Sequence, residues 1–283
     1  MAINPNVREP YQSLAYGAYV EITNDNRFPS VTATQDSFGG TRTSVHPHYA
    51  LLTKDIDAGS GSGNLPIAAG EVSGYSSINK FGATDGDVTG GTIWDGNSGT
   101  TVYPYPSTGA VSITSANNTG AAVEVQGLDG NFAPVTEIVT IGGTGSATFS
   151  RIFRAIMVDT NNDSDVIINL GGSIGAKIIE NRGQTLMAIY TVPAGKTAYL
   201  THVNYSSDKA ATNSAMQFRL FARPETGTFN IKGVLGSAGG AIIDYNYNVP
   251  LKFTEKTDIK VDLVAAQATT CTATFELILV DNT

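Results

Sequence analysis

From about Ala110 to its end, this chain consists of short apolar stretches that alternate with polar residues and are cut by Gly, Asn, Asp and Pro. Val111-Ser112-Ile113, Val123-Glu124-Val125 and Ile259-Lys260-Val261-Asp262-Leu263-Val264 are examples. Alternation with period two turns one side-chain face to a core and the other to water. The pattern therefore predicts an all-β chain with two antiparallel β-sandwich, jelly-roll-like domains. The expected strands of the first are Ala110–Ser115, Ala121–Gly127, Val135–Ile141, Ile152–Val158 and Val166–Leu170. Asp129-Gly130 and Gly142-Gly143 read as hairpin turns.

A second block opens near Gln184. Leu186–Val192 and Thr197–Tyr205 flank Pro193-Ala194-Gly195-Lys196 and read as a hairpin. Six further strands are expected over Ala215–Ala222, Thr228–Val234, Ala241–Tyr245, Leu251–Thr254, Thr257–Ala265 and Thr272–Val280. That density suits a jelly roll or a similar sandwich. Ala176–Asn181 is the one helical candidate.

The first hundred residues differ. Ala18–Ile22 and Ala50–Leu52 look strand-like, but Thr32–Thr43, Gly59–Gly63 and Asp85–Thr101 are polar or Gly-rich. Such passages bury too little apolar surface to offset their ordering entropy in isolation. The expected organisation is an extended, loop-rich N-terminal arm over 1–101, a first sandwich over 102–182 and a C-terminal sandwich over 183–283.

Charge narrows the partners. Against 17 Lys and Arg stand 25 Asp and Glu, a formal net charge of −8. An acidic chain has no general attraction to phosphate backbones, so neither nucleic acid nor an anionic membrane is an expected partner. Arg151 and Arg154 are the nearest approach to a basic patch. The N-terminus has no basic-then-apolar signal pattern, and no apolar run reaches bilayer length. A single cysteine, Cys271, allows no internal disulfide and reads as a small buried hydrophobe.

The motifs that could carry chemistry are incomplete. Gly171-Gly172-Ser173-Ile174-Gly175 matches a serine-hydrolase elbow, but that elbow needs a strand–turn–helix, and His202 is the only histidine downstream. Gly195-Lys196-Thr197 resembles the end of a phosphate loop, with Tyr190 where its first glycine belongs. Asp159–Asp165 alternates oxygen ligands like a calcium loop, yet Ser164 and Leu170 occupy the places of its Gly and Glu, leaving only a looser calcium site open. His46-Pro47-His48 could supply two metal ligands and lacks a third. Asp262 and Glu276 are expected on polar strand faces, as solvated surface acids. Tyr103 and Tyr105 are expected in loops, either at an interface or packed against the arm. No catalytic, cofactor-binding or metal residue is assigned, and the chain is expected not to be an enzyme.

Val123–Asn131 leading into Val135–Gly143, together with Gly183–Leu200, resembles virion structural proteins of tailed bacteriophages, particularly of marine and cyanobacterial phages. The resemblance spans roughly Ala110–Thr283. It implies an accessory virion component assembled in the host cytoplasm, such as a capsid decoration or cement protein, a head knob or a tail appendage. The implied partners are the major capsid protein and copies of the chain itself, as a homo-oligomer for which a trimer is the expectation. A tail fibre or adsorption protein binding a host surface glycan is the alternative.

Overall fold

The computed structural model describes residues 64–208, 215–238, 240 and 242–282. Ala18–Ile22, Thr32–Thr43, His46 and His48, Ala50–Leu52 and Gly59–Gly63 lie outside them. The chain divides after Glu71 into two compact units. In the first, the described residues hold a one-turn helix, α1 (Leu65–Ala68).

The second unit, Val72–Thr283, is nearly all β, and every strand pair in it is antiparallel. Its first eight strands are β1 (Tyr75–Ala83), β2 (Val88–Thr92), β3 (Val111–Ser115), β4 (Ala122–Leu128), β5 (Pro134–Thr140), β6 (Arg151–Met157), β7 (Val166–Leu170) and β8 (Ser173–Ile178). Then come β9 (Ile189–Thr191), β10 (Lys196–Ser207), β11 (Ala215–Arg223), β12 (Asn230–Ala238), β13 (Ile242–Phe253), β14 (Asp258–Thr269) and β15 (Cys271–Asp281).

These strands form four sheets. Sheet I runs β1-β15-β10-β13, and sheet II runs β12-β11-β14-β2 with β9 also on β14. Sheet III runs β3-β7-β8, and sheet IV runs β5-β4-β6. Sheets I and II share one apolar core, which includes Phe218, Leu220, Val261, Phe275 and Leu277. Sheets III and IV share a second, which includes Ile113, Val125, Phe149, Ile152 and Ile168.

The N-terminal boundary differs from the sequence expectation. β1 and β2 fall inside the residues read as an arm, yet β1 pairs along its whole length with β15, from Tyr75↔Val280 to Ala83↔Thr272. β2 pairs with β14. The pair of sheets III and IV is thus an insertion between β2 and β9 of the pair I and II. The Gly-rich Val88-Thr89-Gly90-Gly91-Thr92 hid a strand because of crowding: at Gly91, φ is +90° and a Cβ would meet the Thr101 carbonyl oxygen at 2.5 Å. Only glycine fits there.

Two of the three expected hairpins are changes of sheet. Residues 193–196 join β9 in sheet II to β10 in sheet I. Gly142-Gly143 leads from β5 onto the flank of β3, where the Gly142 N–H donates to the Ile113 carbonyl at 2.8 Å. Asp129-Gly130 does close the β4–β5 hairpin, with the Asp129 carboxylate accepting the N–H groups of Asn131 and Ala133. The helical candidate Ala176–Asn181 is instead mostly β8 and its exit. Ala176 and Ile178 both point into the second core, with period two.

Candidate functional site

Among the described residues, the buried charged groups concentrate where the inserted sheets meet the outer ones. The two chain crossings form a narrow antiparallel neck. Trp94 bridges Met187, the Ala188 N–H donates to the Ile93 carbonyl at 3.0 Å, and the Asp95 N–H donates to the Leu186 carbonyl at 3.0 Å. Alternation here divides side chains between two cores instead of between core and water. Ile93, Ala188 and Tyr190 enter the first core, and Trp94, Met187 and Ile189 enter the second.

Asp95 sits fully buried in this neck. Its carboxylate accepts from Arg182 Nη1 at 2.7 Å and from the Leu186 N–H at 2.6 Å. Burial nevertheless pushes its pKa up to about 7, because desolvation outweighs both partners. On the other flank, buried Lys80 of β1 donates to the Phe153 carbonyl of β6 and lies 5.7 Å from the Phe153 ring centroid. Desolvation, then the nearby Arg154 charge, lowers the Lys80 pKa to about 7. Lys177 of β8 reaches Asp85 at 2.7 Å, in the β1–β2 turn, and Asp165 at 2.8 Å.

The largest of these contacts centres on Asp258, at the start of β14 and 1% exposed. It accepts from Arg151 of β6, from Arg223 of β11 and from Thr191 Oγ1 of β9. Both guanidinium groups also lie against the Tyr105 ring, at 5.5 and 4.6 Å from its centroid. Next along β14, Lys260 is buried and pairs with Asp262 at 2.6 Å, and Asp262 accepts from Thr92 Oγ1 at 2.7 Å.

The sequence-derived candidates do not converge. Ser173 opens β8 in sheet III, whereas His202 lies on β10 in sheet I, paired with Asp244 and 3.7 Å from Glu276. The Gly195 N–H donates to Glu255 at 2.6 Å and Lys196 pairs with Asp281, so that turn is held by carboxylates. In the Asp159–Asp165 loop, buried Asn162 donates to the Ser164 and Ile179 carbonyls and accepts from the Gly183 N–H. Asp165 is engaged with Lys177 and the Glu180 N–H. Among the described residues, no group of three or more His, Cys, Asp or Glu is placed to hold a metal ion. Cys271 is buried, with its thiol pKa pushed up to about 12 by desolvation.

Tyr103 and Tyr105 lie outside the strands, as expected, and of their two readings the packed one holds, whereas the solvated reading of Asp262 needs correction. Tyr103 is buried, its hydroxyl donating to the Gly175 carbonyl at 2.9 Å, and Tyr105 packs edge-on against it. Neither offers an open stacking face. Asp262 stands on the polar side of its strand as expected, but there it is engaged by Thr92 and Lys260 and not solvated. Sequence reading missed Lys80, Asp95, Arg182, Arg223 and Asp258. Of these only Asp258 leaves a trace, in the Asp258-Ile259-Lys260-Val261-Asp262 run, whose charges look like a solvated face.

No family model matches the chain, and no curated protein matches it. Among solved structures, a subviral particle of the infectious bursal disease virus protein VP2 aligns over 74% of this chain and 75% of its own, at 10% identity and a TM-score of 0.21. T=1 particles derived from infectious bursal virus align over 74% of each chain, at 10% identity and a TM-score of 0.19. At TM-scores this low the likeness carries no argument about fold or function.

Proposed function

We propose that this chain is a non-enzymatic structural protein of a tailed-phage virion, a capsid decoration or cement subunit held on the head through its N-terminal residues. In this reading Val72–Thr283 comprises two jelly-roll-like sandwiches, one inserted in the other. The observation that carries the proposal is the junction between them. A two-stranded neck shares its side chains between both cores, and Asp258 of the outer sheets binds Arg151 of the inserted ones across it, held by Thr191 and Arg223 of its own sheet. Buried polar groups paired across a junction in this way hold its parts in one arrangement. A rigid two-lobed body suits a load-bearing subunit better than a catalyst that must open and close.

The mechanism is mass action. A subunit that binds the assembled shell and not its dissociated parts stabilises the shell by linkage. The partners would be the major capsid protein and further copies of this chain, as a trimer on a symmetric particle. Because β1 and β2 belong to the folded body, the anchoring segment ends before Tyr75. Full-length chain and a chain starting at Val72 would be mixed with undecorated particles and sedimented. Binding by the full chain alone, with immunogold label over the head, is the expected result. Equal binding by the shortened chain, or label confined to the tail, overturns the proposal.

A further inference from the structure

At the edge of the outer sheet pair opposite β1 and β2, the two sheets end in β12 and β13. Between these edge strands opens a cleft of about 200 Å3. Tyr205, Leu220, Leu235, Tyr245, Tyr247 and Lys232 line it. The volume is below the ~300 Å3 at which drug-sized pockets begin, and it suits a single ring.

We infer that this cleft binds one acidic sugar residue of a surface polysaccharide, a hexuronate, with the ring against Tyr245 and Tyr247 and the carboxylate on Lys232. Tyrosine combines an apolar face for the C–H side of a sugar with a hydroxyl for its polar edge. Lys232 is exposed and, among the described residues, has no ion-pair partner, although the chain is acidic overall. Its charge therefore complements an anionic group.

The edge strands themselves argue against a peptide in the same place. A peptide between two sheet edges draws its affinity from main-chain hydrogen bonds along them. Both edges are broken. On β13, residues 247–250 bulge opposite the single Thr201 and end in Pro250, which has no N–H. On β12, Lys232 is the extra residue between Leu220↔Gly233 and Phe221↔Ile231. Bulges, proline and lysine are the devices by which edges refuse an added strand. What remains for recognition is side-chain chemistry.

This inference goes beyond the virion role and does not rest on it. The test uses the full chain with sodium glucuronate, a glucuronate disaccharide and glucose, read by saturation-transfer NMR and calorimetry. Saturation transfer to glucuronate at millimolar concentration, with weaker transfer to glucose, is expected. Lys232→Gln should weaken glucuronate roughly three- to fivefold, the scale of one exposed ion pair, and leave glucose unchanged. A Cβ at Gly233 would point at the Tyr247 hydroxyl at 3.4 Å and toward Leu220. Gly233→Leu should therefore fill the cleft and abolish binding of both sugars, while Gly233→Ala serves as the folded control with an unchanged melting temperature. Absence of transfer with folded protein overturns the inference, as does binding that survives Gly233→Leu. Self-association abolished by Gly233→Leu, without sugar binding, would give the cleft to a second copy and equally overturn it.

Discussion

Arg151 and Asp258 meet as a bidentate pair, Nε to Oδ1 at 2.8 Å and Nη2 to Oδ2 at 3.1 Å, with the arginine on the inserted sheets and the aspartate on the outer ones. Removing one member of a buried ion pair leaves the other charge uncompensated, at a cost of about 3–5 kcal/mol. Asp258→Ala is expected to lower the melting temperature by roughly 10 °C. The double change Asp258→Leu with Arg151→Met should recover part of that loss. Differential scanning calorimetry decides, and additive losses would mean that the pair is not coupled.

Truncation separates arm from body. A chain starting at Val72 keeps both edge strands and should melt cooperatively. A chain starting at Val102 loses β1 and β2, uncovers Phe275 and Val261, and should fail to give a cooperative transition by circular dichroism. Equivalent melts for the two chains would mean that β1 and β2 are dispensable.

A smaller lesion makes the same point. At Gly82 of β1, a Cβ would stand 2.2 Å from the Ala188 backbone nitrogen and 2.6 Å from the Ile93 carbonyl oxygen. Backbone cannot yield as a side-chain tip can, so Gly82→Ala is expected to cost roughly 3 kcal/mol or more. Urea titration would show it as a lowered midpoint, and an unchanged midpoint would place β1 away from the neck.

The strands were largely legible. Val166–Leu170 coincides with β7, and most others agree within a few residues. What alternation cannot encode is what covers the second face. In β14, Ile259 and Val261 face the first core as the pattern demands, yet Asp258 and Lys260 on the other face are 1% and 4% exposed. Partners distant in sequence, Arg151, Phe221 and Phe229, cover that face and leave no local mark. β1 was invisible for a related reason: Ser76, Ser77 and Asn79 carry no apolar signal, and its place is set by β15.

Two buried groups give opposite pH slopes. The folded-state pKa of Asp95 is raised to about 7, so between pH 4 and 7 the folded chain holds a proton that the unfolded chain has lost. Stability falls with rising pH across that window. The Lys80 pKa is lowered to about 7, so between pH 7 and 10.5 the unfolded chain binds the extra proton and stability rises with pH. Each slope is about 1.4 kcal/mol per pH unit. Asp95 faces Arg182 and Asp85, and Lys80 faces Arg154. Denaturation from pH 5 to 9.5 should show Lys80→Met flattening only the alkaline limb. An unchanged alkaline limb in that variant would show that Lys80 stays charged in the fold.

Cys271 reports on unfolding. Its thiol is buried and its pKa is pushed up to about 12, so little thiolate forms near neutrality. Labelling by a disulfide reagent at pH 8 should proceed only at the rate of opening and accelerate in denaturant. Rapid stoichiometric labelling of the native chain would contradict that burial.

Tyr75 pairs with Val280, so the first strand of the body waits for the last. On a ribosome, β1 and β2 emerge early and find no partner, while the inserted sheets between them and β9 can complete their own core. The outer layer closes only as β14 and β15 leave the exit tunnel. Newly made β1 and β2 are therefore open edges through most of synthesis, a window in which a chaperone or a sister chain could claim them before the protein's own C-terminus arrives.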